Sequence, residues 1–197
     1  MVLGLSKRVT FVLLALLLSA GVSAEAQFGV PLGRTDPKLE SVAARELVAR
    51  YCRVDYAGAR LYSSEWPKIE PLVSWRSNPE FPLMMVTSRF DLDQEPTLEH
   101  GKYLISVHYR LLGKYDMAEG YSNESANTIQ TVQFVVSEVN DDLRIIDIEP
   151  SYPHISRAAV LQWLNSKLAG AQDPASKVMY QHAVQDLQPK GSVPPAQ

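Results

Sequence analysis

Asp55, Tyr56, Arg60, Tyr62 and Trp66 gather a carboxylate, a guanidinium and three aromatic rings into one short stretch of the chain. A guanidinium is a permanent cation whose planar fork matches an anionic head, and aromatic rings make apolar walls. The set therefore suits an anionic ligand held by Arg60 between Tyr56 and Trp66. The plainer alternative pairs Asp55 with Arg60 to pin a helix–strand junction and puts the aromatics in the core. His108 is a second candidate, on a stretch where it alternates with Ser106 and Arg110. A histidine with a carboxylate partner can act as a general base, and Asp91 is the other strand-borne candidate. The alternative for His108 is the solvated face of a strand. Tyr103, Ile105, Val107 and Tyr109 lie opposite it, and the apolar set is the one a core requires.

Other chemistries find little support. His100, His108, His154 and His182 are scattered, so no metal site is expected. There is no glycine-rich phosphate loop and no Gly-x-Ser-x-Gly elbow, and no cofactor is expected. Cys52 stands alone and reads as a small buried hydrophobe rather than a nucleophile. A single cysteine also precludes an internal disulfide, so an ordinary apolar core must hold the chain together.

The elements that must position these residues follow from periodicity and punctuation. Asp36-Pro37 starts a helix, because Asp accepts hydrogen bonds from orphan amides and Pro tolerates the first helical position. Apolar residues at three-to-four spacing carry that helix over 37–56, and Gly58 ends it. Ala59–Tyr62 is expected to be a short extended piece. Ser63 or Ser64 is expected to cap a second helix bearing Trp66, Ile69, Leu72 and Val73, shortened or kinked by Pro71. From Leu83 the period becomes two: Met84, Val86, Phe90 and Leu92 are expected on one strand face, followed by 103–111, 128–139 and 143–148. The stretch 113–127 is expected to be an extended hairpin tip or a mobile loop. Ser156 and Asp173-Pro174 then announce two further helices, the last ending near Leu187.

Three stretches carry a resemblance: Tyr51-Cys-Arg-Val-Asp-Tyr-Ala-Gly-Ala-Arg-Leu61, Trp66-Pro-Lys-Ile-Glu-Pro-Leu72, and Leu143-Arg-Ile-Ile-Asp-Ile148 with Pro153-His-Ile-Ser156. With the element order, they resemble exported bacterial members of the NTF2-like (SnoaL-like, cystatin-like α+β) superfamily. The resemblance implies an α+β fold. In it, a strongly curved, mostly antiparallel sheet of about four long strands packs on N-terminal helices as a cone, with C-terminal helices added. It implies a domain over 39–155, with 156–187 as a helical extension. It also places Asp55, Tyr56, Arg60, Tyr62 and Trp66 at the mouth of the cone. The ketosteroid-isomerase branch moves a proton with a carboxylate near the short first strand. Here Gly58-Ala-Arg-Leu-Tyr62 holds Arg60 and no acid, so that chemistry does not carry over.

Residues 1–26 read as a signal peptide. Lys7 and Arg8 precede the uncharged run Val9–Val22, and Val22-Ser-Ala24 and Ala24-Glu-Ala26 offer small residues for cleavage. The run has 14 residues, against roughly 20 for a bilayer span, so cleavage is expected, and a periplasmic or secreted product. Residues 27–38 read as a linker and 188–197, rich in proline, as a disordered tail. Loss of Lys7 and Arg8 makes the formal charge of −3 more negative, which argues against nucleic-acid partners and anionic membrane surfaces.

The expected function is a non-catalytic binding or interaction module for a small molecule or protein partner. The alternative is a lyase, isomerase or hydrolase using the conical pocket, which a cone plugged by Trp66, Phe90 and Phe134 would rule out. The run 128–139 is apolar on both faces. Its outer face needs cover from the C-terminal helices or from a second copy in a homodimer.

Overall fold

The computed structural model describes residues 36–188. The expected signal peptide, most of the linker and all but the first residue of the tail lie outside them. The order of elements is helix α1 (Pro37–Tyr56), three 3-10 turns, strands β1 (Leu83–Leu92), β2 (Thr97–Glu99), β3 (Lys102–Asp116), β4 (Gly120–Ser122), β5 (Ile129–Val139), β6 (Asp142–Glu149) and β7 (His154–Ser156), then helices α2 (Arg157–Gly170) and α3 (Pro174–Leu187). The class is α+β: a strongly curled sheet with helices packed against it.

The helix starts obey local chemistry. The Asp36 carboxylate accepts from the Lys38 amide at 2.9 Å, Ser156 Oγ from Ala159 at 3.2 Å, and Asp173 from Ser176 at 2.7 Å. Ala44, Val48, Tyr51, Cys52 and Asp55 form the buried stripe of α1, three or four residues apart as one helical face demands. Gly58 ends α1 with φ +90°, where a Cβ would lie 3.0 Å from Ala159 Cβ.

The expected second helix is corrected to two 3-10 turns, Ser63–Lys68 and Glu70–Leu72. Pro67 and Pro71 stand four apart, and each lacks the N–H an α-helix would need there. The i→i+3 bonds Ile69 N–H to Trp66 O and Leu72 N–H to Ile69 O, both 2.8 Å, bypass both prolines. Ala59–Leu61 is likewise a 3-10 turn rather than an extended piece.

The sheet has seven strands in the order β6-β5-β3-β1-β7, with β2 and β4 pairing to the ends of β3. Four strands are long. The sheet is mixed, because β7 runs parallel to β1 while the remaining ladders are antiparallel. The stretch 113–127 resolves as a hairpin tip: β3 runs on to Asp116 and β4 folds back on it. Gly113 allows this, since a Cβ there would sit 2.4 Å from the Ser122 carbonyl oxygen.

Met84 and Val86 do not share a face with Phe90 and Leu92, contrary to the alternation of the sequence. The β1–β3 register slips between Val86 and Thr87 and again between Thr87 and Arg89. The first slip leaves Leu112 of β3 unpaired and the second leaves Ser88 of β1 unpaired, so the inward parity of each strand reverses once. Met85, Phe90 and Leu92 consequently pack with α1, Tyr103, Val107, Tyr109 and Phe134. Met84 and Val86 pack on the other face with Tyr115, Ile155 and the α2–α3 residues Val160, Trp163, Leu164 and Leu187. The sheet is thus covered on both faces, but unevenly. The core under α2 and α3 draws on β1, β3, β4 and β7 and leaves out the outer face of β5, where Ile129 is 62% exposed. No helix among the described residues is long and apolar enough to cross a membrane.

Candidate functional site

The last turn of α1, the turn after it and the β6–β7 corner bring a set of polar side chains into the core. Arg60 points inward and is buried. Its Nε donates to Asn78 Oδ1 at 3.2 Å, and its Nη1 to Ser151 O at 2.9 Å and to the Tyr51 hydroxyl at 3.4 Å. Asn78 Nδ2 donates back to Arg60 O at 2.9 Å, closing a loop of bonds around the junction. The guanidinium also stands 5.4 Å over the Phe81 ring.

Asp55 faces the same interior without ion-pairing to Arg60. Its Oδ2 accepts from the His154 amide at 3.0 Å, while Oδ1 is buried without a partner. Burial pushes its carboxyl up to about 6, against the pull of the Arg60 charge and the His154 amide. His154 stacks on Tyr109 with centroids 4.2 Å apart, and its Nε2 lies 2.9 Å from Gln130 Oε1. Burial pushes its imidazole down to about 3, aided by Arg60. The Tyr109 hydroxyl donates to Cys52 Sγ at 3.2 Å, and burial lifts the Cys52 thiol to about 12. A thiol held that high is not a nucleophile at neutral pH. This cluster is a closed polar seam within an aromatic core.

The candidates named from the sequence therefore separate. Asp55 and Arg60 lie inside. Tyr56 reaches β1, donating its hydroxyl to Ser88 O at 2.7 Å with its ring edge-on to Phe90 at 5.6 Å. Trp66 is half-buried against the α1 core, with its indole N–H unpartnered. Tyr62 lines a surface cleft of about 580 Å³ between the end of α1, the turn Ser63–Lys68 and Gln162 of α2. The cations of that cleft, Arg53 and Lys68, are already paired with Glu46 and Glu65.

His108 lies on the outer sheet face. Its Nε2 is 3.0 Å from Asp93 Oδ1 and its Nδ1 2.9 Å from Thr131 Oγ1, giving a line of carboxylate, imidazole and hydroxyl. Asp91 sits beside His108 in the ladder, but the carboxylate that bonds the ring is Asp93, just past the end of β1. Sequence reasoning missed Asp93 and Thr131, which reach His108 only through strand register, and Asn78, Gln130 and His154, which meet the seam from distant elements. A second cleft, about 500 Å³, opens between Tyr56, Leu112 and the start of α2. Among the described residues no group of three His, Cys, Asp or Glu converges as a metal site would. Compared with protein families, with curated proteins and with solved structures, the chain matches none.

Proposed function

We propose that this chain is an exported, non-catalytic interaction module built as an NTF2-like cone, and that it pairs with a second copy through the outer face of its sheet. The observation that carries the reading is the filling of the space between α1 and the sheet. Tyr51, Tyr109 and Phe134 are each at most 2% exposed there, where a conical pocket would have to open. The partner follows from the uneven cover. Ile129 is exposed on the outer face of β5, Val135 and Val139 are half-buried farther along the same strand, and α2 and α3 sit elsewhere. Light scattering of the mature chain is expected to report twice the chain mass. An Ile129→Lys, Val135→Lys double variant is expected to be monomeric with an unchanged melting temperature. A monomeric parent at high micromolar concentration overturns the pairing.

A second reading is favoured by the line Asp93–His108–Thr131, which has the hydroxyl–imidazole–carboxylate order of an acyl-transfer site. On that reading His108 takes the Thr131 proton while Asp93 holds the ring. The chain is then expected to hydrolyse p-nitrophenyl acetate at a rate that His108→Ala and Asp93→Asn each lower by about a hundredfold or more. Equal rates in parent and variants remove this reading. The two readings compete for the same face, since a partner docked there would cover His108.

A further inference from the structure

We propose, resting on the pairing put forward above, that two copies of this chain hold each other more tightly when His108 is protonated. The outer sheet face is then a contact that acid strengthens.

Strand register puts His108 inside that face. Residues opposite each other in a ladder share a side of the sheet. Leu104 stands opposite Val135, His108 opposite Thr131 and Arg110 opposite Ile129. His108 thus lies between the two apolar places that the pairing uses. The His108 and Asp93 side chains are 38% and 49% exposed, so a second copy docked there takes water from both.

The charges around the ring set the sign. On β1, Asp91 stands opposite His108 and Arg89 opposite Arg110, and Arg89 lies 3.8 Å from Asp91, so these two offset. Arg45 of α1 donates its Nε to the Asp93 backbone oxygen at 2.9 Å, not to the carboxylate. β5 sets the uncharged Ile129, Thr131 and Gln133 on the same side as the ring. One strand farther out, β6 places Asp147 opposite Val135 and Glu149 opposite Gln133. Glu99 and Lys102 stand opposite each other at the far end and offset, as do Asp142 and Arg144 at 3.3 Å. One cation, Arg110, is left against the carboxylates of Asp93, Asp147 and Glu149.

Two effects then act in one direction. Faces with the same excess of negative charge repel when they meet, and a proton on each His108 lowers the excess on both. Desolvation adds to this. With a neutral ring, docking strips water from the Asp93 carboxylate and leaves it a neutral hydrogen bond. With a charged ring, the carboxylate is covered as an ion pair across 3.0 Å, and a paired charge costs less to bury than a lone one. Histidine is the side chain that ordinarily changes charge between pH 5 and 8. His154 takes no part, since burial holds its imidazole down to about 3.

Sedimentation velocity over a dilution series of the mature chain, at pH 8.0 and pH 5.5, makes the test. The dimer Kd of the parent is expected to be at least about tenfold lower at pH 5.5. His108→Gln keeps every other titrating group, and its Kd is expected to change by less than about threefold over the same range. Asp93→Asn is expected to flatten the dependence as well, because docking then buries an imidazolium without its counter-charge. A parent dimer with the same Kd at both pH values overturns the acid dependence and leaves the pairing standing. A dependence kept in full by His108→Gln does the same. A parent that is monomeric at both pH values overturns the pairing, and the acid dependence with it.

Discussion

Replacing Arg60 by Met is expected to lower the melting temperature by on the order of 10 °C. The substitution keeps the apolar stem and removes the buried guanidinium, leaving the part-buried Ser151 O and Asn78 Oδ1 without their donor and the buried Asp55 without the Arg60 charge. Removing one partner from a buried charged network costs about 3–5 kcal/mol, and each kcal/mol moves the midpoint of a chain this size by roughly 2–4 °C. Differential scanning calorimetry of parent and variant gives the number. A variant that melts with the parent would mean that Arg60 is spare in the fold and free for a ligand.

Asp55→Asn is expected to give the chain an acid sensitivity that the parent lacks. Asp55 titrates near 6 in the folded chain against an ordinary value of 3.8. Its contribution to stability is therefore full below the ordinary value and lost as pH rises through about 6. His154 behaves oppositely, with a folded value near 3 against an ordinary 6.5. Its contribution is full above 6.5 and drains away as pH falls toward 3. Between about pH 4 and 6 the folded chain holds one extra proton on Asp55, and the unfolded chain one extra on His154. Stability follows the difference in bound protons, so over that window the two groups cancel. In Asp55→Asn only the His154 half remains. The variant is expected to lose about 1.4 kcal/mol per pH unit relative to the parent as pH falls through the window. Urea midpoints at pH 6.5, 5.5 and 4.5 measure this, and parallel curves for the two proteins would refute it.

Both expectations concern residues that the sequence singled out as a binding cluster or left unremarked. Asp55 and Arg60 were legible as a pair worth attention because they flank Gly58 at the end of an amphipathic helix. Their inward direction was not legible. It depends on Asn78, Ser151 and His154, which arrive from elements as much as 99 residues away. Tyr56 and Tyr62 diverge as well: Tyr56 ends α1 and reaches Ser88 O on β1, while Tyr62 follows a 3-10 turn where a strand was expected. His108 was legible as a polar residue opposite an apolar row, and it does lie on the outer face. That Asp93 rather than Asp91 bonds its ring depends on where β1 ends against β3.

What the sequence determined by itself is what is decided within a few residues. The starts of the three helices among the described residues rest on adjacent capping side chains, two of them followed by proline, and the row Tyr103–Leu111 is buried because alternation on one strand needs no outside information. The tertiary structure alone decided the phase of β1, the collapse of the expected second helix and the partnership of Asp55 with His154. A register slip reverses the parity of every residue beyond it, and it is set by the neighbouring strand. An α-helix interrupted by two prolines survives as 3-10 turns because it packs against α1 and β6. A buried carboxylate keeps a proton or sheds it according to charges and amides that only folding brings within reach.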